Sequence, residues 1–230
     1  MPKFFLLLKL LVLCISPGLA QTPDNNDTQF WNETTVTFPL IKKKDESGKT
    51  TEKLSFFING NIRFRENMSR FSDERAGFGL VYKHNKYVSF TPSYLYAAQQ
   101  PAPGRNLYES RLRMAVTFEN RWKNFSIDDR NLVEYRFRNS SADSVRYRNR
   151  LRFVYPLVKN DKEIVAPFVQ EEVFYDFREK AFSRSDLVLG VTRKLSSNVS
   201  ADFFYQWQAN RSGSPKHLNI LGVNFKIKID

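Results

Sequence analysis

The stretch from Val145 to Tyr155 alternates between charged and apolar side chains. Arginine occupies every second position from Arg146 to Arg152, and most of the positions between are apolar or aromatic. Successive side chains of a strand point to opposite faces, so the pattern predicts a strand with one charged and one apolar face. A helix would spread the arginines around its circumference and leave no apolar stripe.

The two faces of this strand need different surroundings. A row of four guanidiniums from Arg146 to Arg152 is too costly to bury in a dry core, whereas the opposite face is too aromatic to lie in water. An apolar face turned outward to lipid and a charged face turned inward to a wet lumen meets both needs, and this is typical of a transmembrane β-barrel. One strand alone also fits a half-buried strand of a soluble β-sandwich.

The same alternation recurs along the rest of the chain. Besides the first stretch, it predicts strands within 29–40, 54–65, 75–83, 88–96, 108–118, 125–137, 164–176, 184–192, 199–208 and 221–229. Polar turns and loops separate them, with no helix and no domain break. We therefore predict an all-β fold: a transmembrane antiparallel up-and-down β-barrel of 10–12 strands, formed by residues 29–230.

The strand count and the interiors of two strands depart from the pattern of a regular barrel. Eleven segments alternate, but bacterial single-chain barrels close with an even number, so either the first segment packs as an extension or a twelfth strand remains unidentified. Pro92 lacks an amide donor inside its strand, which indicates a bulge or an edge position. Asp129 and Asn131 fall on the apolar side of theirs, so we expect a bulge there as well.

The N-terminus resembles a secretory leader. Lys3 and Lys9 accompany an apolar run that ends at Ser16-Pro17, and Gly18-Leu19-Ala20 offers a small-x-small cleavage site. We predict a signal peptide at 1–20, cleaved before Gln21, and a flexible segment at 21–28. The bulky Leu13 before Cys14 argues against lipidation at that cysteine.

Composition then narrows the class of protein. Cys14 is the only cysteine, so the mature chain has no disulfide and no thiolate metal site. Seven Asn-x-Ser/Thr sequences would suit a glycosylated secretory protein, but a cysteine-free exported chain fits a Gram-negative bacterium better. The formal net charge of +12 would suit nucleic acid, and export makes that partner improbable. The 21 phenylalanines are many for a soluble domain.

Charged residues dominate the inward positions. Neighbouring strands place arginines opposite carboxylates, which predicts a lumenal ladder of ion pairs in place of a hydrophobic core. The residues of this ladder are Arg63, Arg65, Arg75, Glu109, Arg111, Arg113, Arg130, Glu134, Arg136, Arg146, Arg148, Arg150, Arg152, Glu172 and Asp186. The ladder favours a structural, filled barrel. Because arginines outnumber acids, a narrow anion-preferring pore is the sharper interpretation.

The sequence offers few candidate catalytic residues. His84 and His217 are the only histidines, and Ser212 and Ser214 lie near the second. No Gly-x-Ser-x-Gly, His-Glu-x-x-His or phosphate-binding glycine motif occurs. We predict that the protein is not an enzyme and has no cofactor and no metal site. Two alternatives stay open: an outer-membrane lipid-modifying enzyme, and a soluble lipocalin-like ligand-binding barrel.

Several segments together carry a family resemblance. They are Trp31-Asn32-Glu33, the run 61–65, the arginine-rich runs 130–138 and 148–152, and Pro167-Phe168-Val169 through Glu172. From Phe30 to the C-terminus the chain resembles the bacterial outer-membrane family called domain of unknown function 2490. The resemblance implies an outer-membrane barrel without an assigned activity. The chain departs from most such barrels because it ends Ile227-Lys228-Ile229-Asp230 and not on an aromatic residue.

These observations predict the location of the protein and its partners. We predict a bacterial outer-membrane protein, exported by its signal peptide, whose partners are the lipid bilayer and, during insertion, the barrel-assembly machinery. Small anions are candidate ligands of the lumen, and nucleic acid is not an expected partner.

Overall fold

The computed structural model describes residues 26–44, 48, 50–102, 104–160, 162–212 and 215–229. The predicted signal peptide and residues 21–25 lie outside this part of the chain. In the described residues no helix is long and apolar enough to cross a membrane. The strands are β1 Asn26–Lys44, β2 Thr50–Arg65, β3 Arg70–Lys83, β4 Val88–Ala102, β5 Arg105–Arg121, β6 Ser126–Arg138, β7 Ser144–Val154, β8 Leu157–Lys159, β9 Lys162–Asp176, β10 Ala181–Lys194, β11 Val199–Asn210 and β12 His217–Lys228.

Eleven of these strands close into a barrel. Sequential neighbours pair antiparallel, β7 pairs with β9, and β9 pairs with β10. The short β8 pairs only with the beginning of β9 and stands outside the ring. The predicted all-β barrel of 10–12 strands is therefore confirmed.

The barrel closes through a parallel pair. β1 runs beside β12 in the same direction, from Asn26 opposite His217 to Thr37 opposite Lys228. The expectation of an even strand number is wrong here, because a parallel pair lets the first and last strands of an odd-numbered ring meet. β1 is also a full member of the ring and not an extension, and it begins inside the predicted flexible segment.

The odd count places the two ends of the barrel chain at opposite rims. We call the rim where β1 begins the N-rim and the rim where β12 ends the C-rim. The connections at 66–69, 139–143 and 177–180 lie at the N-rim, and the turns at 84–87, 122–125 and 195–198 lie at the C-rim.

Neither expected bulge is present. β6 pairs with β5 and β7 without a register shift, so Asp129 and Asn131 point outward from a regular strand. Asn149 on β7 donates to Asp129 Oδ1 at 2.6 Å, so the outward polar groups satisfy one another. The register between β3 and β4 is the same on both sides of Pro92, which lies opposite Met114 of β5.

The barrel is apolar outside and charged inside. Large apolar side chains stay exposed on the outer face; Phe78, Leu112 and Phe118 are 51%, 54% and 51% exposed. The buried apolar cluster is small and consists of Trp31, Leu218 and Ile220, with Phe204 packed against it. Charged side chains, which the outer face largely lacks, share the interior with small polar residues and scattered apolar ones.

Candidate functional site

Every residue of the predicted ladder points into the lumen. Ten of them, from Arg63 to Asp186, line one large cavity. Arg65 lines a second cavity near the N-rim. Glu109, Glu134, Arg136 and Arg146 join the same network through ion pairs. Period-two alternation on paired strands explains this common facing, because neighbouring residues in register share one side of the sheet.

Glu134 is the most deeply buried acid of the network, with no exposed surface. Arg146 donates through Nε to its Oε1 at 2.5 Å. Arg148 and Arg111 bring terminal nitrogens to 3.6 and 4.0 Å from Oε2. Three guanidiniums from β5 and β7 thus surround one carboxylate of β6, which offsets the cost of burying its charge.

The other acids repeat this arrangement on a smaller scale. Glu172 accepts hydrogen bonds from Arg130 at 2.7 Å and from Arg148 Nε at 2.9 Å. Glu109 pairs with Arg111 at 2.9 Å and also with Arg136. Further pairs are Arg150 with Asp128, Arg152 and Lys226 with Asp202, Arg184 with Asp186, and Arg75 with Asp73. Most lumenal acids thus hold one or more arginines in place.

Aromatic rings support the guanidiniums from behind. Arg148 and Arg184 each lie 4.6 Å from the ring centroid of Phe174, a side chain that is almost completely buried. Arg152 lies 3.9 Å from the Phe168 ring. Such cation–π contacts favour a fixed guanidinium plane, so the arginines are positioned rather than free to sweep the lumen.

Two acids of the network were not identified from the sequence. Asp73 accepts hydrogen bonds from Arg75 and Gln99, and Asp176 lies 3.6 Å from Arg136. Asp176 could have been found, because it is an even number of residues beyond Glu172 on one strand. Asp73 could have been found in the same way, because it lies two residues before Arg75 on β3, but the predicted strand began at Arg75.

The lumen holds two cavities that meet at one layer of side chains. The larger has a volume of about 820 Å³ and extends to residues of the C-rim such as Trp122. The smaller, of about 280 Å³, lies toward the N-rim. Both are lined by Trp31, Arg63, Arg75 and Arg184, which we call the Trp31 layer. Within it the Arg63 guanidinium stacks 3.5 Å from the Trp31 ring centroid.

A family model covers most of this barrel. The family described as "Protein of unknown function (DUF2490)" matches residues 28–219. The chain belongs to this family. The resemblance seen in the sequence is thereby confirmed for the family itself. A comparison with curated proteins gives no match.

The match places the charged lumen, apart from Lys226, within the DUF2490 region. The match begins in β1 and ends just inside β12. It includes all the acids and arginines of the network, from Arg63 to Asp202. The family description assigns no activity to the DUF2490 lumen.

The two histidines lie apart from the charged network. His84 sits in the β3–β4 turn with its ring near Tyr82 and Phe90. His217 begins β12 and stacks on Trp207 with ring centroids 5.4 Å apart. Ser214 falls outside the described residues. Within the described part of the DUF2490 chain, no three His, Cys, Asp or Glu side chains form a group that could hold a metal ion.

Proposed function

We propose that this barrel spans the bacterial outer membrane and that its lumen is a narrow pore, which small anions enter in preference to cations. The observation that carries the proposal is the division of the strands into an apolar outer face and a lumen with more cations than acids. Each half of that observation supports one part of the proposal.

The outer face supports the membrane part. Exposed Ile, Leu, Phe, Tyr and Trp side chains occur on every strand of the ring, and in water they would form an apolar patch far larger than soluble monomers carry. The ring strands are 11 to 19 residues long, which is enough for tilted strands to cross a bilayer. A lipid environment therefore suits this surface.

The lumen supports the anion part. Eleven Arg or Lys side chains and seven Asp or Glu side chains line the larger cavity. Fixed positive charge in a confined polar space concentrates anions and repels cations. The Trp31 layer narrows the route, so we expect a small conductance.

The geometry of the lumen supports the two alternatives, a soluble lipocalin-like barrel and a lipid-modifying enzyme, less well than it supports a pore. A lipocalin-like soluble barrel encloses an apolar ligand, which a lumen lined mainly by charged groups would not favour. A lipid-modifying enzyme would need a nucleophile and a base in contact, and His84 and His217 each pack against aromatic rings. The prediction that the protein is not an enzyme stays a prediction.

Planar-bilayer recording of the purified, folded chain tests the pore. In a potassium chloride gradient we expect small, stable steps whose reversal potential has the sign of chloride selectivity. Cation selectivity would contradict the proposal. So would the absence of conductance in protein whose folded state is verified by heat-modifiable gel mobility. A silent protein that hydrolyses lipid would favour the enzyme.

Trp31→Ala sharpens the same experiment. Removing the indole takes away the surface on which Arg63 stacks and opens the Trp31 layer, so the single-channel conductance should rise. Trp207→Ala is the matched control, because Trp207 faces outward and is 40% exposed. Equal conductance changes in both variants would show that the Trp31 layer does not limit the pathway. Cell fractionation to the outer membrane tests the location independently.

A further inference from the structure

We infer that the larger lumenal cavity binds a phosphate-type oxyanion, with Arg113 as its main ligand and Arg130 and Arg150 as additional donors. The inference deepens the proposed function, because it names the ligand class of the same lumen. It rests on guanidinium donors that the internal carboxylates leave unused.

Arg113 is a lumenal arginine that takes no part in the described ion-pair network. It lines the larger cavity, lies opposite Glu134 on β6 and opposite Ser93 on β4. Arg146 donates to Glu134 Oε1, whereas Oε2 has Arg148 and Arg111 at 3.6 and 4.0 Å and no hydrogen bond. Among the described residues Arg113 makes no hydrogen bond and no ion pair, and its Nε is buried without a partner. A charged donor without an acceptor in a confined space is costly, and an anion that accepts hydrogen bonds from the terminal nitrogens of Arg113 would offset that cost.

Arg130 and Arg150 are only partly used. They are direct neighbours across β6 and β7, where two like charges repel one another. Arg130 reaches Glu172 and Arg150 reaches Asp128, each through Nη2, at 2.7 and 2.6 Å. Among the described residues neither side chain makes a hydrogen bond through its Nη1. A guanidinium has five N–H donors, so both side chains retain donors for a ligand.

Arg148 shows what a fully engaged arginine looks like in the same place. Its Nε and Nη2 both contact Glu172, at 2.9 and 2.8 Å, and its Nη1 lies 3.6 Å from Glu134. Its Nε, unlike those of Arg113, Arg130 and Arg150, has an acceptor. Arg113, Arg130 and Arg150 therefore retain donors that the carboxylates of the network do not bind in this arrangement.

The ligand class follows from charge and volume. The lining cations exceed the lining acids by eleven to seven, and the cavity of about 820 Å³ has the size of a small-molecule site. Planar guanidiniums match tetrahedral oxyanions through paired N–H donors, and they prefer phosphate to a spherical halide for that reason. The oxyanion can be free phosphate or the phosphate group of a small phosphomonoester.

Isothermal titration calorimetry on the folded mature chain in detergent tests the site. The probes are inorganic phosphate, glycerol 3-phosphate and chloride at equal ionic strength. We expect saturable phosphate binding that chloride does not reproduce. Tighter binding of glycerol 3-phosphate than of inorganic phosphate would identify the phosphomonoester as the preferred form, and the reverse order would identify the free ion.

Arg113→Gln is the informative variant, because Arg113 has no described partner whose loss would disturb the fold. Losing one charge-assisted contact should weaken phosphate binding about tenfold or more. Arg65→Gln is the matched control, since Arg65 is a lumenal arginine of the smaller cavity that donates to the Pro101 carbonyl. It should leave phosphate binding within about twofold, well below the effect of one lost contact. Equal effects of both variants, or no binding by the unchanged chain, would overturn the inference.

A second readout separates this inference from the pore. Phosphate added on the C-rim side should reduce the chloride current of the unchanged chain at the concentrations at which it binds. Chloride conduction without phosphate binding would reject the site and keep the pore. Phosphate binding in detergent without conduction would keep the site and reject the pore. If Arg113→Gln does not fold, binding and current block of the unchanged chain still decide.

Discussion

The lumen has two unlike walls. The inner side of β5, β6, β7, β9 and β10, which we call the arginine wall, carries most of the long charged side chains. The inner side of β2, β3 and β4, which we call the small wall, carries mainly short ones, including Asn59, Gly77, Gly79, Thr91 and Ser93. Both walls use the same period-two alternation, and they differ in what the inward positions hold.

This difference explains where the cavity lies. The inward side chains of one wall are long and those of the other are mostly short, so we attribute the open space of the cavity to the small wall. Two arginine walls would fill the bore or repel each other, and two small walls would leave a wide pore without selectivity. An asymmetric lining gives a charged surface with room beside it, which a lumenal anion site requires.

The largest expected loss of stability comes from a mutation at the centre of the arginine wall. Glu134→Gln should lower the free energy of unfolding by about 3–5 kcal/mol, because three guanidiniums would then lie buried around a neutral amide. Glu33→Gln is the control from outside that wall; Glu33 has only a 3.5 Å hydrogen bond from Thr35, so its loss should stay below about 1 kcal/mol. Denaturant unfolding in detergent measures both. Similar losses would mean that the ion-pair network does not stabilise the barrel.

The next effect concerns the close packing of the small wall. A Cβ at Gly79 would lie 2.6 Å from Ser93 Cβ and 2.7 Å from the Pro92 carbonyl oxygen. Because a backbone atom cannot easily move aside, Gly79→Ala should destabilise the barrel by about 1–3 kcal/mol.

Gly60→Ala is its matched control on the neighbouring strand. Nothing lies within 4 Å of a Cβ at Gly60, so the change should stay within about 0.5 kcal/mol. Thermal or denaturant unfolding of both variants gives the comparison. An unaffected Gly79→Ala barrel would show that the β3–β4 backbone can separate, and that the small wall is less rigid than its packing indicates.

The smallest effect compares the outer faces of the two walls. Behind the arginine wall, Glu171 points outward between Leu151 and Leu187 of the neighbouring strands. A carboxylate facing lipid there is unfavourable, so Glu171→Val should stabilise the barrel in liposomes by about 1 kcal/mol. Behind the small wall, Glu74 is nearer the N-rim, and Glu74→Val should gain less. A loss of stability in Glu171→Val would indicate that this face meets something other than lipid.

Much of the lumen could be predicted residue by residue. Arg63, Arg111 and Arg148 were assigned inward from alternation alone, and they line the cavity. Asp129 shows the limit of that method: a polar residue on the apolar side suggested a bulge, whereas the strand stays regular and Asn149 of the next strand binds the carboxylate. A cross-strand partner can satisfy a misplaced polar group, and one strand's pattern does not reveal that partner.

The choice of ion-pair partners also required the assembled barrel. Nothing in the local sequence indicates that Glu134 engages Arg146, Arg148 and Arg111 and leaves Arg113 without a carboxylate. That outcome depends on strand register and on which side chains reach across the lumen. Trp31 likewise belongs to an alternating first strand, but its place in the layer between the cavities follows from ring closure.

The sequence by itself determined the all-β fold, the approximate positions of the eleven ring strands and the inward side of the lumenal arginines. These are local properties, because successive side chains of any strand alternate between two faces. Only the tertiary structure decided the eleven-stranded ring, its parallel closure between β1 and β12, the pairing of each guanidinium and the position of the cavity. These depend on residues far apart in the chain, and a period of two residues carries no information about which distant strand completes the barrel.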